Sequence, residues 1–264
     1  MADTDAVRGA GLPDRLPAVD AAAGPGSPAA EPGKVMTLVD HLTELRSRIV
    51  RSIAAVVVGT IVGFVFADPI KDFLTAPLPA SALPLQFLSP GDGFSIQVRI
   101  AVVVGVILAM PVLLYQLWAF ISPGLTPTER KALRPWIPLA LFFFVLGVSI
   151  AYAILPFAIG FLLAFSGKVI VAHLAATPYF DFVTTMFLAF GLLMEFPILL
   201  YALARIGILS SARLTSSRRF IFLGIVIFST IATPGGDLVS PTILATTMYI
   251  LFELTLRAIR RSGR

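Results

Sequence analysis

The 264-residue chain is 57% hydrophobic and 13% charged, with a mean hydropathy of +0.92, proportions that exclude an ordinary soluble domain and indicate a membrane protein. Its net charge of +5 and pI near 9.9 would suit a nucleic-acid binder, but the basic residues gather at the ends of apolar stretches, beside lipid headgroups, so no nucleic-acid partner is expected. The chain has no cysteine, and His41 and His173 fall on opposite predicted sides of the membrane; a disulfide, a thiol nucleophile, a metal site and a cofactor are all unexpected, and the chain reads as a non-enzyme.

Residues 1–35 are rich in Ala, Pro, Gly and Asp without apolar periodicity, and read as a disordered cytoplasmic tail. They hold no apolar core of the signal-peptide kind, and Met36 is an alternative start. Thr37-Leu-Val-Asp40 has the form of a capping box for a short amphipathic helix, His41–Arg51, lying along the interface and running into the first span. Six apolar stretches follow, at Ile49–Ala67, Ile100–Phe120, Trp136–Pro156, Phe182–Ala204, Phe220–Thr233 and Leu238–Leu256, so the predicted fold is an all-α membrane domain of six transmembrane helices over residues 36–257, with a basic tail at 258–264.

With Arg51 counted in the N-terminal segment, the seven segments outside these stretches carry 6, 2, 3, 1, 4, 0 and 4 Lys+Arg. High counts fall on alternate segments, and basic residues resist translocation, so both termini are expected in the cytoplasm and the protein in the bacterial inner membrane. The long external loop Asp68–Ser95 holds Pro69, Pro77, Pro79, Pro84 and Pro90 and should be rigid, with Ser89-Pro90 as a helix start. A second external connection, Phe157–Asp181, contains Pro178, and Pro111 and Pro197 are expected to kink their helices.

The last two helices read as short. Phe220–Thr233 would reach about 21 Å against roughly 30 Å of hydrocarbon, and Pro241 interrupts Leu238–Leu256 early. Either the true boundaries differ by a few residues, or neighbouring helices shield the pair, or the mismatch thins the bilayer or recruits a partner.

Four acids stand out. Glu195 lies deep within the fourth stretch, where an unpaired carboxyl costs a few kcal/mol, so it faces a cavity or a partner unless it is protonated onto a carbonyl freed by Pro197. Glu44 has Arg48 at i+4, an ordinary surface helix pair, and Glu129 completes the capping box Thr126-Pro-Thr-Glu129. Those local roles do not explain why two carboxylates share the cytoplasmic side with Arg46, Arg48, Arg130, Lys131 and Arg134, a surface able to hold two guanidinium groups of a ligand. Asp237, in the external turn Thr233-Pro-Gly-Gly-Asp237, suits an N-cap for the last helix.

Taken together, the motifs resemble the TatC family, the multispanning core of the twin-arginine protein translocase. They comprise His41-Leu-Thr-Glu-Leu-Arg46, Ala76-Pro77-Leu78, Pro111 through Leu125 to Glu129-Arg130, Ala189-Phe-Gly191 with Glu195 and Pro197, Thr233-Pro234 with Asp237, and Met248 to Glu253. The resemblance implies a receptor for twin-arginine signal peptides of folded cargo, assembling with the single-span TatA and TatB as a hetero-oligomer with several TatC copies and driven by the proton-motive force. It implies a signal-binding patch at Glu44, Arg46 and Glu129 with Phe120 and Leu125 beside it, an intramembrane role for Glu195, external roles for Pro77 and Asp237, and partner docking around Thr233 and Met248. Two departures stand against the family pattern: the Thr233–Asp237 turn is one residue longer than the common Thr-Pro-Pro-Asp form, and Pro241 replaces a glutamine believed to help dock a partner helix. Rival readings are a proton-coupled small-molecule transporter using Glu195, which would need a second ionisable group facing it at similar depth, and an intramembrane enzyme, which would need a nucleophile with a base or a metal cluster. No phosphate-binding glycine loop is present.

Overall fold

The computed structural model describes residues 38–165, 174–234 and 236–261. The expected tail over residues 1–35, Thr37 of the first capping box, His173, Gly235 and the last three residues lie outside the described residues. A chain this apolar must close its backbone hydrogen bonds within each segment to enter lipid, and the described residues accordingly form helices joined by turns.

α1 (Leu38–Val65) is one uninterrupted helix of 28 residues, so the expected interfacial helix and the first span are a single rod. It packs chiefly on α3 (Asp92–Ile121). The two backbones touch: a Cβ at Gly59 would fall 2.6 Å from the Gly105 carbonyl oxygen, and one at Gly63 would fall 2.8 Å from that of Ala101. Small residues at such a crossing supply the van der Waals contact that drives helix pairing in lipid.

Between these helices the expected loop holds a further helix, α2 (Ala67–Thr75). The Tyr179 hydroxyl donates to the Leu74 carbonyl at 2.5 Å and the Tyr152 hydroxyl to that of Phe73 at 3.3 Å, while Gln86 exchanges backbone bonds with Leu174 and Ala176. These are tertiary ties, invisible to local pattern. α3 begins two residues beyond Pro90, where the Asp92 carboxylate accepts from the amides of Leu88 and Ser89 at 2.8 and 3.0 Å.

Pro111 sits inside α3 without ending it, and Pro156 likewise lies within α5 (Trp136–Ala164), which runs eight residues past the expected boundary. Before α5, the short α4 (Pro127–Leu133) opens on the predicted capping box. The fourth apolar stretch divides into α6 (Ala176–Leu193) and α7 (Phe196–Arg205) at Met194-Glu195. Pro197 falls in the first turn of α7, where its missing N–H leaves no bond unmade. Backbone bonds from Glu195 to Leu192 and from Leu199 to Glu195 carry the chain across this offset, so the two helices form one span.

After α8 (Ser211–Ser216), the final pair is unequal. α9 (Arg218–Ala232) has 15 residues and reaches about 22 Å. α10 (Val239–Arg261) has 23 and reaches about 35 Å, which corrects the expectation that both are short. Pro241 occupies the first turn of α10 and interrupts nothing, and four residues of the expected basic tail belong to this helix. Five segments among the described residues are thus long and apolar enough to span a membrane, and α9, the fifth of the six expected stretches, is too short to count among them. The buried centre is built from α3, α5, α6, α7 and α10, with Phe144, Phe190, Met186, Met194 and Phe252 almost fully enclosed.

Candidate functional site

The end of the bundle at which α1 begins also holds the end of α3, α4, the start of α5, the ends of α7 and α10 and the start of α9. Trp136 stacks on Tyr201 at 3.5 Å, Arg218 donates to Glu253 at 2.9 Å, and Arg260 donates to the Thr215 hydroxyl at 2.7 Å, tying these ends together. Thirteen of the fifteen described Lys and Arg residues lie on elements at this end, the others being Lys71 and Arg99. We call it the basic end.

Here α1 and α3 form a clasp. His41 stacks on Phe120 with ring centroids 4.4 Å apart. One turn along α1, the Arg48 Nε donates to Glu44 Oε1 at 2.9 Å, and Arg48 Nη1 reaches across to Gln116 Oε1 at 3.2 Å. The expected i,i+4 pair therefore exists, but it is part of a bridge to α3. The other Glu44 oxygen, Oε2, is buried with no hydrogen-bond partner. A buried acceptor left unmade is costly and therefore ready to receive a donor. Arg46, two residues on, is exposed.

From Phe120 the chain turns through Ser122–Gly124 into the Glu129 cap. Glu129 Oε2 accepts from the Thr126 amide at 3.1 Å and from the Thr126 hydroxyl at 2.8 Å, and the Glu129 amide donates back to that hydroxyl at 3.4 Å. Glu129 remains half-exposed, and Leu125 packs its partly buried side chain against the core. Glu44, Arg46, Phe120, Leu125 and Glu129 thus lie on adjoining elements at one end. The sequence reading missed Arg48 and Gln116 as the link; a glutamine inside the apolar run of α3 was the available signal.

Glu195 stands at the α6–α7 offset, about 15 Å from the Arg205 end of its span. It is half-buried, its Oε1 is enclosed without a hydrogen-bond partner, and no ion pair among the described residues involves it. Two ion pairs of the apolar helices lie away from it: Arg99 with Asp181 toward the opposite end, and Arg218 with Glu253 at the basic end. A facing ionisable partner for Glu195, the requirement of a proton-coupled carrier, is not found among these pairs.

At the opposite end, Asp237 is 4% exposed, and its Oδ1 accepts from the Ser240 amide at 2.6 Å, capping α10, while Oδ2 is buried without a partner. Thr233 donates to the Ser229 carbonyl at 2.5 Å, and Met248 is buried against the Ser229 hydroxyl at 4.0 Å. Thr233 and Met248 therefore sit in the seam between α9 and α10. The open face of that seam is a groove of about 480 Å³ that includes Phe222, Thr230, Pro241, Thr246 and Tyr249, residues the sequence reading did not single out apart from Pro241. Pro77 is half-buried beside the enclosed Leu78. Among the described residues no cluster of His, Asp or Glu could hold a metal.

Residues 40–246 match the sequence model of the family described as Sec-independent protein translocase protein (TatC). The TatC protein of Carboxydothermus hydrogenoformans is 34% identical over 224 residues, covering 84% of this chain and 92% of that protein. TatCy of Bacillus subtilis is 34% identical over 223 residues, covering 84% and 87%. A crystal structure of the twin-arginine translocase receptor TatC superposes with a TM-score of 0.73 at 33% identity, covering 85% of this chain and all of that one. The same seams and helix offset thus stand in a chain whose sequence and shape both point one way: it belongs to the TatC family, as a multispanning membrane component of the twin-arginine protein translocase.

Proposed function

We propose that this protein is the signal-peptide receptor of its translocase, with the basic end in the cytoplasm, six crossings including the short α9, and both termini on the cytoplasmic side of the bacterial inner membrane. The bias of Lys and Arg toward the basic end supports that orientation, since such residues resist translocation. α9 at about 22 Å would then cross only by thinning the bilayer or by sheltering against a partner.

The observation that carries the receptor reading is the half-satisfied Glu44 carboxylate in the clasp with Phe120 and Arg48. Its buried free oxygen suits a guanidinium proton, and Phe120 offers an apolar neighbour for the segment that follows the two arginines. Glu129 supplies the second acid, its cap leaving the carboxylate half-exposed. Arg46 is exposed beside them and completes the patch that the family implies. TatA and TatB are the partners implied by the family, with the α9–α10 pair as docking region, Thr233 and Met248 holding that pair together and the assembly containing several copies of this chain. Pro77 and Asp237 keep the opposite face in shape, and the proton-motive force supplies the energy.

Binding of purified protein to a twin-arginine peptide and to its twin-lysine version tests the reading. Loss of one charge-assisted bond costs about 1.5–3 kcal/mol, or roughly ten- to hundredfold in affinity. Glu129→Gln keeps the capping box and removes only the charge, so it should stay folded and bind the twin-arginine peptide more weakly by that factor. Unchanged affinity in both Glu129→Gln and Glu44→Gln would overturn the receptor reading.

A further inference from the structure

A second feature of the basic end adjoins the proposed peptide patch, with which it shares Leu125. Between the last turns of α3, the whole of α4 and the first turn of α5 lies an open cavity of about 920 Å³. One side carries Arg130, Lys131 and Arg134, all exposed and none in an ion pair among the described residues. Its other walls include Tyr115, Trp118 and Ile137. The Arg130 guanidinium sits 5.4 Å from the Trp118 ring centroid, and the indole Nε1 has no hydrogen-bond partner. Glu129, the acid nearest in sequence, turns back into its own cap.

The cavity lies where the apolar runs of α3 and α5 end, the level at which aromatic residues mark the headgroup region. Cations on one wall and apolar surface on the others match an amphiphile with an anionic head. A twin-arginine segment would be repelled by the three cations, and a soluble anion would leave the apolar walls unused. Basic recesses between transmembrane helices bind anionic headgroups, and two arginines can each present forked donors to a phosphate. We propose that this cavity seats an anionic phospholipid, its phosphate on Arg130, Lys131 and Arg134 and its acyl chains beside Tyr115 and Ile137. The inference needs only that these helices lie in a bilayer, and stands whether or not Glu44 and Glu129 bind a peptide.

Trp118 reports on the site. The chain has two tryptophans, so Trp136→Phe leaves Trp118 as the one fluorophore of that type in the full-length protein. The protein is reconstituted in phosphatidylcholine vesicles holding a minor fraction of brominated phosphatidylglycerol or, in parallel, brominated phosphatidylcholine. Preferential occupancy by the anionic lipid should be roughly tenfold or more, given three basic residues at the headgroup level, and should appear as stronger quenching of Trp118. Replacing Arg130, Lys131 and Arg134 together by Gln should abolish the preference, and replacing both arginines by Lys should retain part of it. Neutralising Arg213, Arg219 and Arg257, exposed basic residues of the same end, should leave it intact. Equal quenching by the two lipids, or equal loss from the distant triple variant, would overturn the site. Loss of the preference on adding inorganic phosphate would replace the lipid by a free anion.

Discussion

Two helices hang from the buried centre by one main neighbour each, α1 from α3 and α9 from α10, and the two attachments are built differently. α1 meets α3 backbone to backbone at Gly59 and Gly105 and adds the His41–Phe120 and Arg48–Gln116 contacts at the basic end. α9 meets α10 through larger side chains, with Phe222 edge-on to Tyr249 at 5.3 Å, and a groove stays open between them. Glycine is present in α9 too, but a Cβ at Gly224 would meet nothing within 4 Å. What sets the tightness of such a seam is therefore where the glycines point. The closed seam makes a fixed clasp for the proposed peptide site, and the open one leaves apolar area for another helix.

The strongest way to break the contrast is to swap the steric load. Gly59→Leu forces a side chain into the α3 backbone, and overpacking of this kind costs about 1–3 kcal/mol or more. It should sharply lower the thermal unfolding temperature in detergent. Gly224→Leu should change stability by no more than about 0.5 kcal/mol. Equal effects of the two would show that the α1–α3 contact is not close-packed.

A smaller effect is expected at the open seam. Asp237 ties the start of α10 through the Ser240 amide, and loss of such a cap costs about 0.5–2 kcal/mol. Asp237→Ala should therefore speed amide hydrogen exchange in the first turn of α10 without altering exchange in α1. Asp237→Asn, which keeps the acceptor, should lie between the two.

How much of this was legible beforehand follows from the range over which each feature is encoded. The Thr126–Glu129 cap formed as read, because four consecutive residues contain all its partners, and the Asp237 cap is similarly local. The lengths of α5 and α10 were not legible, because the third stretch was closed at Pro156 and the last was read as interrupted at Pro241. Pro241 falls in a first turn that needs no donor, and Pro156 is carried by the helix around it. Near the end of α10, Glu253 pairs with Arg218 across 35 residues of chain, a tie no local pattern announces. α2 and the α9–α10 groove depend on tyrosine hydroxyls and side-chain volumes supplied by distant helices, for which no local pattern exists. Of the candidate site, the residue types were readable, and the bridge from Glu44 through Arg48 to Gln116 was not.

The smallest expected change in stability, and the one that links the two seams, is at Glu195. α6 packs on α3, the anchor of the closed seam, whereas α7 packs on α10, the anchor of the open one, and Glu195 sits at the offset between them. Because its enclosed oxygen makes no hydrogen bond, the carboxyl adds little to holding the offset together. Glu195→Gln should therefore keep normal membrane abundance and unfold within about 0.5 kcal/mol of the parent. Glu195→Leu removes an unsatisfied buried polar group and should be neutral or slightly stabilising, since apolar replacement relieves a desolvation cost. If the carboxyl instead serves transport, both variants should lose export of a twin-arginine reporter while retaining peptide binding at the clasp. Wild-type export by both would leave Glu195 as a tolerated remnant of the helix offset, and marked destabilisation by Leu would mean that the carboxyl holds α6 and α7 in register.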